Sequence, residues 1–266
     1  MMSVPIAVSV AGSDSSGGAG IEADLKTFSA LGVYGACVVT AVTAQNTKGV
    51  SAIHAVPADI VAAQIDAVLS DLDVGATKIG MLANASIIEA VDAGLARHAS
   101  RNVVLDPILA ASTGAELLRA DAIDALRLLI PRARVFTPNL FEAAALLEVP
   151  MAQDESEMCA QAERLLALGA GAVLIKGGHG GGTESVDLLV EGENCARFAA
   201  PRVATKNTHG TGCTLASAIA AGLAKGLSLN DAVRDAKAYV TAAIAAADRL
   251  KIGSGHGPLH HFFKWW

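Results

Sequence analysis

Residues 6–44, IAVSVAGSDSSGGAGIEADLKTFSALGVYGACVVTAVTA, contain the pattern that decides the fold. A short apolar run, IAVSVAG, leads into a glycine- and serine-rich loop, which is followed by the amphipathic stretch IEADLKTFSALG and a second apolar run, ACVVTAVTA. Short apolar runs bounded by turn residues predict buried strands, and apolar residues at helical spacing predict a helix. The stretch therefore predicts a strand, a helix and a second strand, the unit from which parallel sheets are built.

The same alternation continues along the chain. Further strands are predicted at VSAIHAV, ATKIG, NVVLDP, RVFTPN and AVLIKGG, and an antiparallel pair at ESVDLLVEG and CARFAA. Helices are predicted at PADIVAAQIDAVLSDL, ASIIEAVDAGLARH, AIDALRLLIPRA, EAAALL, SEMCAQAERLLALGA, CTLASAIAAGLAKG and LNDAVRDAKAYVTAAIAAADRL. Because no linker or repeat interrupts the pattern, we expect one domain over residues 1–266. Its fold is predicted to be α/β, three-layer αβα and doubly wound, with a mostly parallel central sheet and a small antiparallel edge.

The composition supports this fold and excludes some classes of function. Hydrophobic residues make up 52% of the chain and aromatic residues only 4%, so the core must consist of Ala, Val, Ile and Leu, which suits parallel strands covered by helices on both faces. A net charge of -6 argues against nucleic-acid binding, which needs clustered Lys and Arg. The N-terminal apolar stretch lacks the basic region of a signal peptide, and no apolar run approaches the roughly 20 residues of a membrane span. We therefore expect no membrane partner and a cytoplasmic location.

Polar or flexible residues follow most of the predicted strands. They are Gly12, Ser13 and Asp14, then Gln45 and Asn46, and then Met81, Asp106, Asn139 and Lys176. In open α/β sheets, ligands bind at the carboxyl ends of the strands. These residues therefore predict an active site at one edge of the sheet.

The first glycine-rich loop contains Gly18-Ala19-Gly20-Ile21-Glu22-Ala23, which fits a GxGxxA dinucleotide fingerprint. That fingerprint requires an acidic residue about 20 positions further on, to hold a ribose. No Asp or Glu occurs between Asp24 and Asp59, so a dehydrogenase is disfavoured. A loose turn into a helix and a flexible substrate loop both remain open.

The second glycine-rich stretch is TKNTHGTGCT, residues 205–214. It lacks the GK[ST] of a P-loop, but Gly210-Thr211-Gly212-Cys213 runs straight into a predicted helix. Unpaired N–H groups and the positive end of the helix dipole favour an oxyanion or a transferring phosphoryl group there. An ordinary capped helix is the structural alternative.

The four cysteines, Cys37, Cys159, Cys195 and Cys213, lie far apart without a CxxC pair, so neither a zinc site nor a disulfide framework is predicted. The first three are expected to be small buried apolar residues. Cys213 has three possible uses, as nucleophile, proton acceptor or packing residue. At a helix N-terminus its pKa is expected to fall. His209, four residues earlier, is a possible activating base, although an anion site with Lys176 nearby suits phosphoryl transfer better.

Two carboxylates are candidate metal ligands. Glu142 follows Asn139 at the spacing of a helix capping box, but it also suits Mg²⁺, which prefers few carboxylates and several waters. Asp106-Pro107 fits either a simple turn or a metal site. His260 and His261 are expected to be packed or solvated, because no third ligand accompanies them.

The sequence resembles a known family through AGSDSSGGAGIEADLKTFSALGVYG, TAVTAQNT, TKIGML, VVLDP, TPNLFEA, IKGGH, TKNTHGTGCTLASAIAA and GHGPLHHFF, which occur in the family's order over nearly the whole chain. This family is the hydroxymethylpyrimidine/phosphomethylpyrimidine kinases of thiamine biosynthesis, in the ribokinase-like superfamily. The resemblance implies two ATP-dependent steps at one site, which convert 4-amino-5-hydroxymethyl-2-methylpyrimidine to its monophosphate and then to the diphosphate. It also implies Mg²⁺, a homodimer and possible use of a monovalent cation.

The resemblance also implies roles for individual residues. The residues that match the anion hole and the proposed catalytic base are Gly210, Thr211, Gly212 and Cys213. Gln45 matches the residue that reads the pyrimidine, and the rest of the substrate pocket is matched by Asp24, Gly12, Ala19 and Met81. ATP is expected at Lys176, Asn139 and Thr208, and the metal at Glu142 and Asp106. Cys213 is expected to matter mainly for the first step, in which the acceptor is an alcohol.

The chain departs from the family at two positions. Ser112 stands where a lysine is usual, which predicts a weaker hold on the monophosphate in the second step. Ser15 replaces a frequent proline, which predicts a more flexible first loop. Pyridoxal kinase activity is the nearest alternative, and a non-catalytic pyrimidine-binding module is a more distant one.

Overall fold

The computed structural model describes residues 4–109, 122–178 and 182–266. Nine strands occur in these ranges: β1 (Ile6–Gly12), β2 (Tyr34–Asn46), β3 (Gly49–Ala55), β4 (Ala76–Ile79), β5 (Val103–Leu105), β6 (Val135–Phe136), β7 (Val173–Lys176), β8 (Glu184–Glu191) and β9 (Asn194–Pro201). The α-helices are α1 (Gly20–Ala30), α2 (Ala58–Leu69), α3 (Ala85–Arg97), α4 (Ile123–Leu129), α5 (Leu140–Leu147), α6 (Glu155–Leu166), α7 (Thr211–Ala224) and α8 (Leu229–Ala245). Each predicted element is present.

All nine strands form one sheet, in the order β3-β2-β1-β4-β5-β6-β7-β8-β9. The pairs from β2 through β1, β4, β5 and β6 to β7 are parallel. The pair β8–β9 is antiparallel, as predicted, and β8 is also antiparallel to β7. A further antiparallel pair, β2–β3, lies at the opposite edge and was not predicted. The α/β fold with a mostly parallel sheet is therefore confirmed, but it has two antiparallel edges instead of one.

Helices cover both faces of the sheet, which gives the predicted three layers. One apolar core packs α2 to α6 against one face, with Ile65, Ile88 and Leu165 among its fully buried side chains. The other core packs α1, α7 and α8 against the opposite face. Helix α7 lies at its centre, and every residue from Cys213 to Leu223 is buried. Small side chains permit this close packing, since a Cβ added to Gly222 would lie 2.8 Å from Cβ of Ala232 on α8.

The strand order reverses at β1, and this reversal indicates where a ligand-binding crevice lies. The chain moves from β1 to β2 on one side and later returns to β4 on the other. A crevice opens outside the carboxyl ends of the strands at such a switch point. The loop after β1 and the start of α7 both lie at this end of the sheet.

The prediction for the cysteines was wrong for Cys159 and Cys195, which form a disulfide between α6 and β9. Neither is fully buried, since Cys159 is half-buried and Cys195 exposed, and Cys37 is half-buried as well. A separation of 36 residues gives no pairing signal in the sequence. The pair meets because β8 and β9 fold back beside α6. Among the described residues, no helix has the length and apolar character needed to span a membrane.

Candidate active site

The start of α7 depends on Gly210, which precedes its first residue. Gly210 has φ 84°, the left-handed conformation that favours glycine. A Cβ there would lie 1.9 Å from the carbonyl oxygen of Gly18, so the first loop packs directly on this turn. Thr211 donates its N–H and hydroxyl to the carbonyl of Thr208, at 3.2 and 2.7 Å, which closes the turn. The N–H groups of Gly212 and Cys213, the second and third helical residues, have no partner within the helix and suit an anion.

A lysine between two carboxylates lies beside this helix start. Lys176 Nζ is 2.5 Å from Asp106 Oδ1 and 3.9 Å from Glu142 Oε2. A Cβ on Gly212 would lie 3.5 Å from Lys176 Nζ and 3.7 Å from Asp106 Oδ2. Burial lowers the pKa of Lys176, but the two carboxylates outweigh it and the pKa is raised overall. Lys176 is therefore a permanent cation next to the predicted anion site.

Glu142 carries the capping box expected from its spacing. Asn139 Oδ1 accepts the N–H of Glu142 at 2.9 Å, and Glu142 Oε2 accepts the N–H of Asn139 at 2.7 Å. Burial raises the pKa of Glu142 to about 7, with Lys176 opposing this and Asp106 adding to it. A cation beside Glu142 and Asp106 would relieve their repulsion, so the capping role and a metal role are compatible.

Cys213 is buried, and its surroundings overturn the expectation of a lowered pKa. Burial raises the pKa of the Cys213 thiol to about 11. The ammonium of Lys78 and the N–H of Gly20 act in the opposite direction, and the carboxylates of Asp24 and Asp106 raise the pKa further. The thiol is therefore neutral at pH 7.

His209 does not activate this thiol. Its Nε2 lies 2.8 Å from Asp14 Oδ2 and 3.3 Å from Gln45 Nε2. The nucleophile interpretation therefore loses the base that it required.

Asp24 and Lys78 form an ion pair beneath the site. Lys78 Nζ lies 2.8 Å from Asp24 Oδ2, and both side chains are fully buried. Ser9 and Ser217 donate hydroxyls to the two Asp24 oxygens, each at 2.6 Å. With both oxygens engaged and no exposed surface, the Asp24 carboxylate is fully satisfied within the protein, near Cys213. No role was predicted for Lys78, although a lysine inside the buried strand ATKI was the available signal in the sequence.

Asp14 organises the first loop. Its carboxylate accepts N–H groups from Ser16, Gly18 and Ala19 at 2.9, 3.1 and 2.9 Å, and also the Ser16 hydroxyl at 2.7 Å. Burial opposes ionisation, but the hydrogen bonds from His209 and Ser16 prevail and lower the Asp14 pKa to about 2. The loop is therefore an ordered structure instead of a loose turn.

The expected substrate residues lie around this loop. A Cβ on Gly12 would lie 3.0 Å from Met81 Sδ, so the ends of β1 and β4 are in contact. Ala19 precedes α1 and donates to Asp14, as described above. Ser15 ties the loop to β2, because its hydroxyl donates to the Gln45 carbonyl and accepts the Gln45 N–H, both at 2.8 Å. The structure thus gives Ser15 a tether where greater flexibility was predicted. Ser112 lies outside the described residues.

The geometry therefore divides the predicted residues into two groups on either side of the α7 start. Asp106, Glu142 and Asn139 lie near Lys176. Ala19 is connected to Gln45 through Asp14 and His209. Residues 14–260 match the model of a protein family described as phosphomethylpyrimidine kinase.

This chain belongs to the phosphomethylpyrimidine kinase family. It is 59% identical over 262 residues to the hydroxymethylpyrimidine/phosphomethylpyrimidine kinase of Rhizobium meliloti (strain 1021), and 54% identical over 261 residues to that of Salmonella typhimurium. Both matches cover 98% of this chain and 98% of the relative. As a member of this family the chain is a phosphotransferase with a ribokinase-like fold.

Solved structures agree with this assignment. The pyridoxal kinase of Bacillus subtilis, solved as an ADP complex, has a TM-score of 0.89 and 36% identity, over 97% of this chain and 98% of that one. The phosphomethylpyrimidine kinase of Clostridium difficile 630 has a TM-score of 0.80 and 41% identity, over 90% and 99%. A Staphylococcus aureus pyridoxal kinase complex with AMP-PCP has a TM-score of 0.90 and 33% identity, over 98% and 94%. The two pyridoxal kinase structures are complexes with ADP and AMP-PCP, which supports the use of ATP by this family member.

Proposed function

We propose that this phosphomethylpyrimidine kinase family member phosphorylates 4-amino-5-hydroxymethyl-2-methylpyrimidine with ATP, and then phosphorylates the monophosphate to the diphosphate. The observation that carries the proposal is that Gly212 lies beside Lys176 and in the same turn as His209, whose ring contacts Gln45. A phosphoryl donor and a ring-bearing acceptor would meet at the start of α7. Relatives with 59% and 54% identity carry names for both steps.

The residues near the proposed ATP site would neutralise the negative charge of the transferring phosphoryl group. The transferring phosphoryl group spreads negative charge over its oxygens, so catalysis depends on positioning and electrostatic stabilisation. The N–H groups of Gly212 and Cys213 supply fixed dipoles, and Lys176 supplies a full positive charge. Thr208 and Asn139 shape the two turns that hold these groups, which supports their proposed place near ATP.

Mg²⁺ fits the two carboxylates. Glu142 and Asp106 are hard oxygen donors in a buried site, and a nearby cation would offset the burial that raises the pKa of Glu142. Within residues 4–109, 122–178 and 182–266, no group of three or more His, Cys, Asp or Glu side chains forms a complete metal site. The ion would therefore be held by one or both carboxylates with waters and ATP phosphates. Use of a monovalent cation, a homodimeric state and a cytoplasmic location stay predictions from the family resemblance.

Cys213 is proposed to act as a thiolate that accepts the proton of the hydroxymethyl group, after the neutral thiol has given its own proton to water. A thiol with a pKa of about 11 is rarely ionised at pH 7, but its thiolate is a strong base once formed. The buried ammonium of Lys78 favours that anion.

A product assay tests the proposed function. The protein is incubated with Mg-ATP and either hydroxymethylpyrimidine or pyridoxal, and the products are weighed by mass spectrometry. We expect the pyrimidine to gain first one and then two phosphoryl groups. Phosphorylation of pyridoxal alone would favour the second candidate, which the solved pyridoxal kinases support with TM-scores of 0.89 and 0.90. No gain on either compound would overturn the kinase proposal in favour of a binding module.

A further inference from the structure

His209 lies where three loops meet and has no role in the chemistry above. Its side chain is buried, with 7% of its surface exposed. One ring nitrogen, Nε2, faces both Asp14 Oδ2 at 2.8 Å and Gln45 Nε2 at 3.3 Å. Its main-chain N–H donates to the carbonyl of Gly257 at 3.1 Å, and the next residue is Gly210. The ring therefore connects the first loop, the end of β2 and the anion-binding turn.

The Asp14 carboxylate decides which ring nitrogen carries a hydrogen. Asp14 is ionised at neutral pH, and an ionised carboxylate only accepts hydrogen bonds. The 2.8 Å contact therefore requires a hydrogen on His209 Nε2. With that hydrogen in place, the His209 Nε2–H and the Gln45 amide N–H, whose nitrogens are 3.3 Å apart, would both be donors and could not form a hydrogen bond.

The other end of the Gln45 amide resolves this conflict. Amide oxygen and nitrogen have nearly the same shape, so their positions follow from the hydrogen-bond network. The second atom of the Gln45 amide, the one that does not contact His209, lies 3.2 Å from Thr43 Oγ1. The Thr43 hydroxyl itself donates to the Ser13 carbonyl at 2.8 Å. Thr43 Oγ1 is then free to accept. If the Gln45 nitrogen faces Thr43 and the oxygen faces His209, each donor meets an acceptor, and the single Nε2–H of His209 is shared between Asp14 at 2.8 Å and the Gln45 oxygen at 3.3 Å.

We propose that His209 is a positioning residue which, held by Asp14, sets the orientation of the Gln45 amide and thereby selects the hydrogen-bonding edge of the substrate ring. This rests on the proposed function. An amide has two N–H groups and an oxygen with two lone pairs. One N–H group donates to Thr43 and one lone pair accepts from His209. Gln45 therefore keeps one N–H donor and one acceptor lone pair for the substrate. An exocyclic amine next to a ring nitrogen, as in a 4-aminopyrimidine, is the matching edge.

The same orientation directs the reacting group. The Gln45 oxygen faces His209, so the exocyclic amine of the substrate binds on that side. In the proposed substrate, the ring carbon that bears the amine adjoins the carbon that bears the hydroxymethyl group. Because residues 210–213 continue the turn that contains His209, the proposal places the hydroxymethyl group on the side of these residues. The opposite amide orientation would turn it away from them.

Two matched substitutions test the proposal. His209→Gln and His209→Met have side chains of similar length, but only glutamine keeps a nitrogen donor that can reach Asp14 and Gln45. The substrates are the aminopyrimidine alcohol and its 4-oxo analogue, whose donor and acceptor positions are exchanged. We expect the wild-type enzyme and His209→Gln to prefer the amine. In His209→Met only the Thr43 hydroxyl still faces the amide, and it can rotate from the Ser13 carbonyl to donate to the Gln45 oxygen, so the ratio of kcat/KM for amine over oxo compound should fall about tenfold or more. A merely structural role would lower both values together and leave the ratio unchanged, which would overturn the proposal.

A second measurement needs neither activity nor a variant. Long-range ¹H–¹⁵N NMR of the unliganded wild-type protein reports which nitrogen of His209 is protonated. The proposal requires the hydrogen on Nε2 at pH 7, and an unprotonated Nε2 there would overturn it. Because this readout involves no substrate, it separates failure of the His209 proposal from failure of the proposed kinase reaction.

Discussion

The thiol of Cys213 is neutral in the unliganded enzyme at pH 7, which limits its role. A helix N-terminus favours a thiolate, but burial and the carboxylates of Asp24 and Asp106 favour the thiol. Burial has the largest effect, because a desolvated anion loses its interaction with water. Cys213 must therefore be deprotonated during the reaction, when the substrate alcohol is already in place, if it acts as a base.

Replacing Cys213 with alanine should separate the two steps. The alcohol in the first step gains from a base, whereas the phosphate oxygen in the second is already ionised at neutral pH. We expect Cys213→Ala to slow monophosphate formation by roughly 10²–10⁴-fold and diphosphate formation much less. Steady-state kinetics with each purified substrate would measure this. Equal losses in both steps would show that the thiol only positions the substrate.

Ser15 illustrates how a single hydroxyl acts beyond its local sequence. As a replacement for proline it was expected to loosen the first loop, because it frees the backbone torsion φ. The folded chain places it 2.8 Å from both the N–H and the carbonyl of Gln45. Proline has neither a hydroxyl nor an N–H, so it cannot make this bridge.

At the scale of elements, the turn into α7 is the most constrained connection near the site. Gly210 and Gly226 both adopt left-handed conformations, with φ of 84° and 82°. They differ in their neighbours, since a Cβ on Gly210 meets the Gly18 carbonyl at 1.9 Å, whereas one on Gly226 has nothing within 4 Å. Alanine substitutions at these two glycines therefore distinguish the cost of backbone strain from the cost of steric overlap.

Gly210→Ala should be much more destabilising than Gly226→Ala. Backbone strain alone predicts a loss of about 1 kcal/mol in the free energy of unfolding for Gly226→Ala. The overlap with Gly18 must also be relieved in Gly210→Ala, so a loss of about 3 kcal/mol is expected, with loss of activity. Urea denaturation of both variants measures the difference. Similar losses would mean that the first loop moves aside at little cost.

The secondary structure was largely predictable from the sequence, because periodicity and turn residues are local signals. All the predicted strands and helices are present, with boundaries that differ by a few residues. The direction of β3 was missed because an apolar run has the same pattern in parallel and antiparallel pairing. Here the β2–β3 turn contains only Thr47 and Lys48, which is too short for a parallel crossover.

At the scale of the whole molecule, the C-terminal segment is anchored under α7. His261 Nε2 lies 3.0 Å from Thr214 Oγ1, and the His261 carbonyl accepts the Tyr239 hydroxyl at 2.8 Å. Burial lowers the pKa of His261 to about 4, with smaller effects from Lys26 and His260. The folded chain therefore holds this histidine neutral.

This burial predicts a pH dependence of stability. The folded pKa of about 4 lies below the ordinary value of 6.5, so the unfolded chain binds the proton more strongly. The His261 contribution is fully present above pH 6.5 and is lost as the pH falls toward 4, by up to about 3 kcal/mol. Glu142 has the opposite effect in an overlapping range, because its pKa is raised to about 7.

A comparison of the wild-type protein with His261→Gln cancels the contribution of Glu142, which is present in both. We expect the wild-type protein to lose its stability advantage over His261→Gln as the pH falls from 7 to 4, since Glu142 titrates in both proteins. Urea unfolding at four pH values gives the difference directly. A constant difference across the range would contradict the neutral, buried state of His261.

The sequence by itself determined the elements, the two glycine-rich turns, the polar strand ends and the family, because these are encoded in local order and spacing. Only the tertiary structure decided the Cys159–Cys195 disulfide, the Asp24–Lys78 pair and the attachment of His209 to Asp14. His209 and Asp14 are 195 residues apart, so their contact depends on how distant elements pack. The raised pKa of Cys213 has the same origin, since desolvation depends on what surrounds a side chain in space.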